Sequence, residues 1–219
     1  MSTSDVVHVG PLSLPRRAVV VAGALFAVEL LALGWYLRSA SVSVHAPRYL
    51  LYPFVWVNDG VLAVLGTAPV SGAGRKRLVA ALLAAGYAVL LLVLDGSLAL
   101  AARPPATGFH LMPLPPGWGP ALAYDGATLT VTLFPYRVVG YAALAYLLYA
   151  TLVEASRAAL GGLLGLVSCV SCTLPVLAAL VSGVAGGSVT AVATGFSYDL
   201  STLVFVASVG LLYWRPLGR

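Results

Sequence analysis

Two cysteines three residues apart in one apolar stretch, and carboxylates buried in others, are the side chains of this chain with the most chemistry to offer. The run Ser168-Cys169-Val170-Ser171-Cys172-Thr173-Leu174-Pro175 puts both thiols on one face if it is helical, with Cβ atoms roughly 5–6 Å apart. A disulfide wants about 3.5–4.5 Å between those atoms, so a regular helix would strain one. Two thiolates on one face instead suit a soft ion such as Cu(I). Pro175 adds to this, because it has no N–H for the carbonyl of Ser171 and its ring crowds that carbonyl. Packing is the competing account: Gly161, Gly165 and Cys169 fall four apart, the small-residue stripe that lets membrane helices approach closely. A four-thiolate zinc site would need a second cysteine pair, and the chain has two cysteines in all.

The acids are Glu29, Asp59, Asp95 and Asp199, each inside a long apolar run. A carboxylate at the centre of a membrane helix costs on the order of 2.5–3.5 kcal/mol even on insertion scales. Each therefore needs a proton, water, a cation or a counter-charge, and Arg137 is the basic residue at similar depth. Asn58-Asp59-Gly60 is a turn signal and predicts an interrupted second helix, with Asp59 turned inward toward Glu29 or Arg137. Asp95-Gly96-Ser97 and Asp199 also fit helix ends lying in headgroup water. His110 and Met112, two apart in a proline-rich stretch, are donors that suit copper; ordinary packing beside Phe109 and Trp118 is the alternative there.

The elements that must position these groups follow from composition. Of 219 residues, 60% are hydrophobic and 9% charged, where a soluble domain carries about a quarter charged. A span needs roughly 20 mostly apolar residues, and six segments qualify: 16–38, 48–70, 78–102, 132–153, 158–182 and 189–214. The expected fold is an all-α, polytopic transmembrane helical bundle of six spans, a single integral membrane domain over 1–219. Arg16, Arg17, Arg75, Lys76, Arg77, Arg157, Arg215 and Arg219 fall on alternate connections. The positive-inside rule then puts both termini in the cytoplasm and the chain in the cell membrane as a multi-pass protein. The first span runs past signal-peptide length, contains Glu29 and meets no clear cleavage site, so it is expected to be retained.

Several chemistries are excluded. The lone lysine, Lys76, lies in a connection, so no retinal-type Schiff base is expected. His8, His45 and His110 lie outside the spans, which argues against haem between helices, and Cys172 is followed by threonine, not histidine. The glycines before Lys76 lack phosphate-loop spacing, so no nucleotide is expected. The net charge of +5 fits anionic lipid headgroups and not a nucleic-acid partner; the expected partners are the lipid bilayer and other membrane subunits. The 103–131 connection carries Pro104, Pro105, Pro113, Pro115, Pro116 and Pro120, which keep it from being helical throughout. Thr128, Thr130 and Thr132 alternate with apolar residues, a short extended signal, and an ordered cap is expected there.

With its Cys-x-x-Cys-x-x-Pro run and its Ala, Val, Leu and Gly-rich composition, the sequence resembles a group of uncharacterised archaeal polytopic membrane proteins, a resemblance that implies no activity. It is also similar to the transmembrane thiol transporters of the cytochrome-biogenesis type, which implies six spans and cysteines beside prolines. It departs from them in that Cys169 and Cys172 share one helix, where those transporters place the reactive pair on two. Three function classes follow: copper or thiol-redox handling in assembling a membrane (respiratory) complex, an ion-coupled permease using intramembrane carboxylates, and a structural subunit without chemistry. No soluble-type enzyme motif is present.

Overall fold

The computed structural model describes residues 6–9, 12–39, 48–67, 74–100, 108–154 and 190–214. A short antiparallel hairpin, β1 (Val6–Val9) and β2 (Leu12–Pro15), leads into α1 (Arg16–Ser39). Then come α2 (Arg48–Gly66) and α3 (Gly74–Leu94), followed by β3 (Leu98–Leu100), β4 (Gly108–Met112), β5 (Ala121–Asp125) and β6 (Leu129–Leu133). The described chain closes with α4 (Pro135–Glu154) and α5 (Thr190–Trp214).

Helix α1, at about 1.5 Å per residue, is longer than the ~30 Å hydrocarbon layer of a bilayer. Among the described residues four helices are long and apolar enough to cross a membrane: Arg16–Ser39, Tyr49–Gly66, Gly74–Leu94 and Pro135–Glu154. Helix α5 contains a shorter apolar stretch, Ser201–Tyr213. Their surfaces are inverted relative to a water-soluble bundle: Val20, Leu31 and Trp35 of α1 and Leu78, Leu82 and Val89 of α3 are among many large apolar side chains left exposed.

Helix α4 is the hub. Leu147 and Ala150 are fully buried, and Leu144, Leu147 and Tyr136 share one core with Trp56 and Ala63 of α2, Leu91 of α3 and Phe205, Val209 and Leu212 of α5. Ring contacts set the directions. Tyr49 meets Tyr198 with centroids 6.0 Å apart, Trp56 stacks on Phe205 at 4.0 Å, and Trp56 meets Tyr136 at 5.7 Å. Residue numbers rise together from Tyr49–Tyr198 to Trp56–Phe205 and from Trp56–Tyr136 to Gly60–Ala143, so α2, α4 and α5 run the same way. Helix α3 runs against α4, because Arg77 donates to the Tyr149 hydroxyl at one end and Asp95 meets Arg137 at the other.

Two expectations are corrected. The fold is mixed α/β, not all-α: among the described residues five helices accompany the β1–β2 hairpin and a four-stranded antiparallel sheet in the order β3-β6-β5-β4. Where six spans were expected, four helices among the described residues are candidate spans. The third apolar run, expected over 78–102, stops being helical at Leu94. The N–H of Asp95 bonds to the Leu91 carbonyl at 2.9 Å, Gly96 takes a positive φ of 78°, and the chain turns into β3 against β6. Gly is favoured at such a left-handed helix end. An apolar run cannot by itself tell a helix from a strand, and here the Asp-Gly turn decides. Of the threonine alternation, Thr130 and Thr132 fall on β6, while Thr128 lies in the bend before it. The segment expected as a fifth span, 158–182, lies outside the described residues.

The second helix is also continuous where an interruption was expected. Residues 58–60 are α-helical, and Gly60 serves packing: a Cβ there would lie 3.1 Å from Ala143 Cβ of α4. The real irregularity sits one and a half turns earlier, at Pro53. Proline cannot donate to the carbonyl four residues before it, here that of Tyr49. The indole of Trp118 donates to that carbonyl at 2.8 Å. Gly117, at φ 89°, makes the approach possible, since a Cβ would stand 2.6 Å from Pro53 Cβ. The loop between β4 and β5 is thereby pinned onto α2.

Candidate functional site

Three polar groups lie among the helices. The first joins α1 to α2. Glu29 is buried at mid-helix, and Asn58 donates through Nδ2 both to Glu29 Oε2 and, at 2.9 Å, to the Phe54 carbonyl. The contact to Phe54, four residues back on the same helix, fixes the amide so that it points at α1. One amide group thus satisfies a backbone acceptor and a buried carboxyl together.

The second is Asp59, the next residue on α2. Its Oδ2 is buried and has no hydrogen-bond partner. A buried polar atom left in this way costs about 1–3 kcal/mol, more for a charge, and native structures rarely tolerate one without a reason. Arg137, one of its two expected neighbours, pairs with Asp95. Asp59 does not share in the Glu29–Asn58 contact.

The third group closes the end of the α3–α4 pair. Arg137 Nη1 lies 2.7 Å from Asp95 Oδ2, with both side chains 16% exposed. Ser97 Oγ donates to the same carboxylate oxygen at 2.5 Å, and Arg137 Nε donates to the Tyr136 hydroxyl at 2.9 Å. The guanidinium carbon also sits 4.9 Å from the centroid of Phe134. With Ser97 only 3% exposed, this is a closed arrangement in which each charge has its partner. Its chemistry is structural: it locks the first residues of α4 to the turn after α3. Pairing Arg137 with Asp95 follows from the true end of α3, which places Asp95 just beyond the helix.

The remaining predicted residues do not join these groups. Asp199 lies half-buried on α5, next to Tyr198 of the aromatic cluster. His110 and Met112 lie on one face of β4, and His110 Nε2 is 3.8 Å from Asp125 Oδ2 across the β4–β5 pair. Cys169 and Cys172 lie outside the described residues. Among the described residues no three of His, Cys, Asp and Glu come together as a metal site.

Sequence reasoning gave no role to Trp118, Tyr136 and Thr202. Tyr136 and Trp118 are 5.1 Å apart, and Trp56 donates from Nε1 to Thr202 Oγ1 at 3.2 Å. One signal was available for Trp118: a proline inside an apolar span demands an outside donor for the carbonyl it orphans.

Taken together, the described residues combine four helices long and apolar enough to cross a membrane, by length and composition, with a small β cap and polar groups inside the bundle. The chain belongs to a family of unknown function, DUF7546, whose model matches residues 1–219. No curated protein and no solved structure matches it.

Proposed function

We propose that this chain is a multi-pass membrane protein of the ion-coupled permease type, which takes up a proton or a small cation at Asp59. The observation that carries the reading is the buried, unpartnered Oδ2 of Asp59 in the middle of an apolar helix. An ionised carboxylate in such surroundings calls for a positive partner, and intramembrane acids mark ion or proton paths by default. Arg137, the basic residue expected at similar depth, pairs with Asp95, and the reading gives that role to an ion from outside the chain. Glu29, one residue over through Asn58, is a second buried carboxyl on the adjoining helix, and a relay between two acids needs such a neighbour. The copper reading rests on Cys169 and Cys172, outside the described residues, and among the described residues the exposed His110 joins no metal cluster.

The test is ion flux in proteoliposomes holding the full chain, followed with an internal pH dye and, separately, with a sodium dye. The expected result is flux above protein-free vesicles that is lost in Asp59→Asn, which keeps the shape and removes the charge. Equal flux in wild type and Asp59→Asn would overturn the proposal.

A further inference from the structure

The four-stranded sheet has its two faces sorted in an unusual way. Residues opposite each other across antiparallel strands lie on the same face, and neighbours along a strand on opposite faces. The register therefore gives three rows on one face: Leu111, Leu122 and Leu133; then Phe109, Tyr124, Val131 and Leu98; then Leu129 and Leu100. The other face carries His110, Asp125, Thr130 and Thr132 with the small residues Ala99, Ala121 and Ala123. A sheet in water buries its large apolar face and shows its polar one. Here Ala121 and Ala123 are buried, while Leu100 is 85% exposed, Phe109 78% and Leu111 65%. With strands about 4.8 Å apart and alternate residues nearly 7 Å apart, the apolar face covers roughly 15 Å by 14 Å.

We infer that this face rests on the bilayer, against the boundary between headgroups and acyl chains at the end of α3. Continuity argues for lipid as the occupant. Strand β3 follows α3 after three residues, and the exposed apolar side chains of α3 (Val79, Leu82, Leu83, Val89, Leu90 and Val93) are followed directly by Leu98 and Leu100. The Asp95–Arg137 pair and the Ser97–Thr132 backbone bond of 2.8 Å fix β3 and β6 to the ends of α3 and α4, so the sheet cannot move far from the helix ends. The face is apolar but for the Tyr124 hydroxyl, and Tyr124 stands 4.7 Å from Phe109; aromatic side chains with a polar tip favour the membrane–water boundary. A membrane surface accepts such a patch without demanding matched hydrogen bonds. The inference rests on the membrane placement proposed above and not on ion uptake at Asp59.

The experiment places the photoreactive residue benzoyl-phenylalanine at Phe109, at Thr130 on the opposite face and at Leu82 on α3. Each variant is reconstituted as the full chain in phosphatidylcholine vesicles, irradiated and weighed intact by mass spectrometry. The expected result is a mass gain of one phospholipid at positions 109 and 82, and none at 130. An adduct at 82 with none at 109 would overturn the docking and leave the membrane placement standing, and so would a covalent dimer through 109, which would make the face a contact between copies. No lipid adduct at either position would overturn the membrane placement itself.

Discussion

The contact between Trp118 and the carbonyl of Tyr49 lends itself to a quantitative test, because the reason for it lies in another residue. Pro53 has no N–H for that carbonyl, and Trp118 Nε1 supplies the missing donor at 2.8 Å. Replacing Trp118 by Phe keeps an aromatic ring beside Phe134, Tyr136 and Tyr198 but removes the donor. Losing this hydrogen bond is expected to destabilise the fold by about 1–2 kcal/mol, on top of the loss of indole packing. Replacing Pro53 by Ala restores the backbone donor within α2. In that background Trp118→Phe should lose the hydrogen-bond part of its cost, so the two substitutions couple by about 1–2 kcal/mol. Pro53 is fully buried, so Pro53→Ala carries a packing cost of its own, which the double-mutant cycle subtracts. Unfolding by dodecyl sulfate in mixed micelles, followed by far-ultraviolet circular dichroism, measures all four proteins. An equal cost of Trp118→Phe in both backgrounds would refute the idea that the proline creates the need for the tryptophan.

Three further outcomes can be checked by the same unfolding assay. Arg137→Gln should destabilise by about 3–5 kcal/mol, since it strands a largely buried carboxylate, and Asp95→Asn in the same protein should recover part of that. Gly140→Ala should be destabilising despite a helix-propensity gain of about 0.5–1 kcal/mol, because its Cβ would sit 2.5 Å from Trp56 Cε3; Gly86→Ala, with open space around it, should stabilise by about that gain. Asp59→Leu should leave the fold as stable or more so, by up to about 1–3 kcal/mol, because it removes an orphaned oxygen; a large loss of stability would show that Asp59 has a structural partner.

The starts of the helices were legible because apolar length is a strong signal: α1, α2 and α4 begin within a few residues of the expected spans, whereas the basic cluster Arg75-Lys76-Arg77, expected in a connection, lies in the first turn of α3. The sheet was half legible. Thr128 to Thr132 showed its extended period, but Leu98-Ala99-Leu100 reads equally as the last turn of a membrane helix, and only pairing with β6 makes it a strand. Asn58-Asp59-Gly60 misled because each of its residues is a turn former in water. Inside the bundle Asn58 has Glu29 to bind and Gly60 lets α4 come close, so tertiary contacts outweigh local preference. The cost of a carboxylate in an apolar run singled out Glu29, which is buried, and Asp59, whose Oδ2 is buried. Which acid Arg137 would take was not legible, because that depended on where α3 ends.

The central claim is that Asp59 is a site of proton or cation uptake in an apolar place, and carbodiimide labelling tests it most directly. Dicyclohexylcarbodiimide partitions into apolar regions and reacts with a carboxyl group that carries a proton. Peptide mass spectrometry of the labelled full chain should find the adduct on Asp59, with labelling slowed by an added cation if that cation competes for the site, and Asp59→Asn should carry no adduct in that peptide. A chain that stays unlabelled at Asp59 under conditions that modify other carboxyl groups would contradict the account.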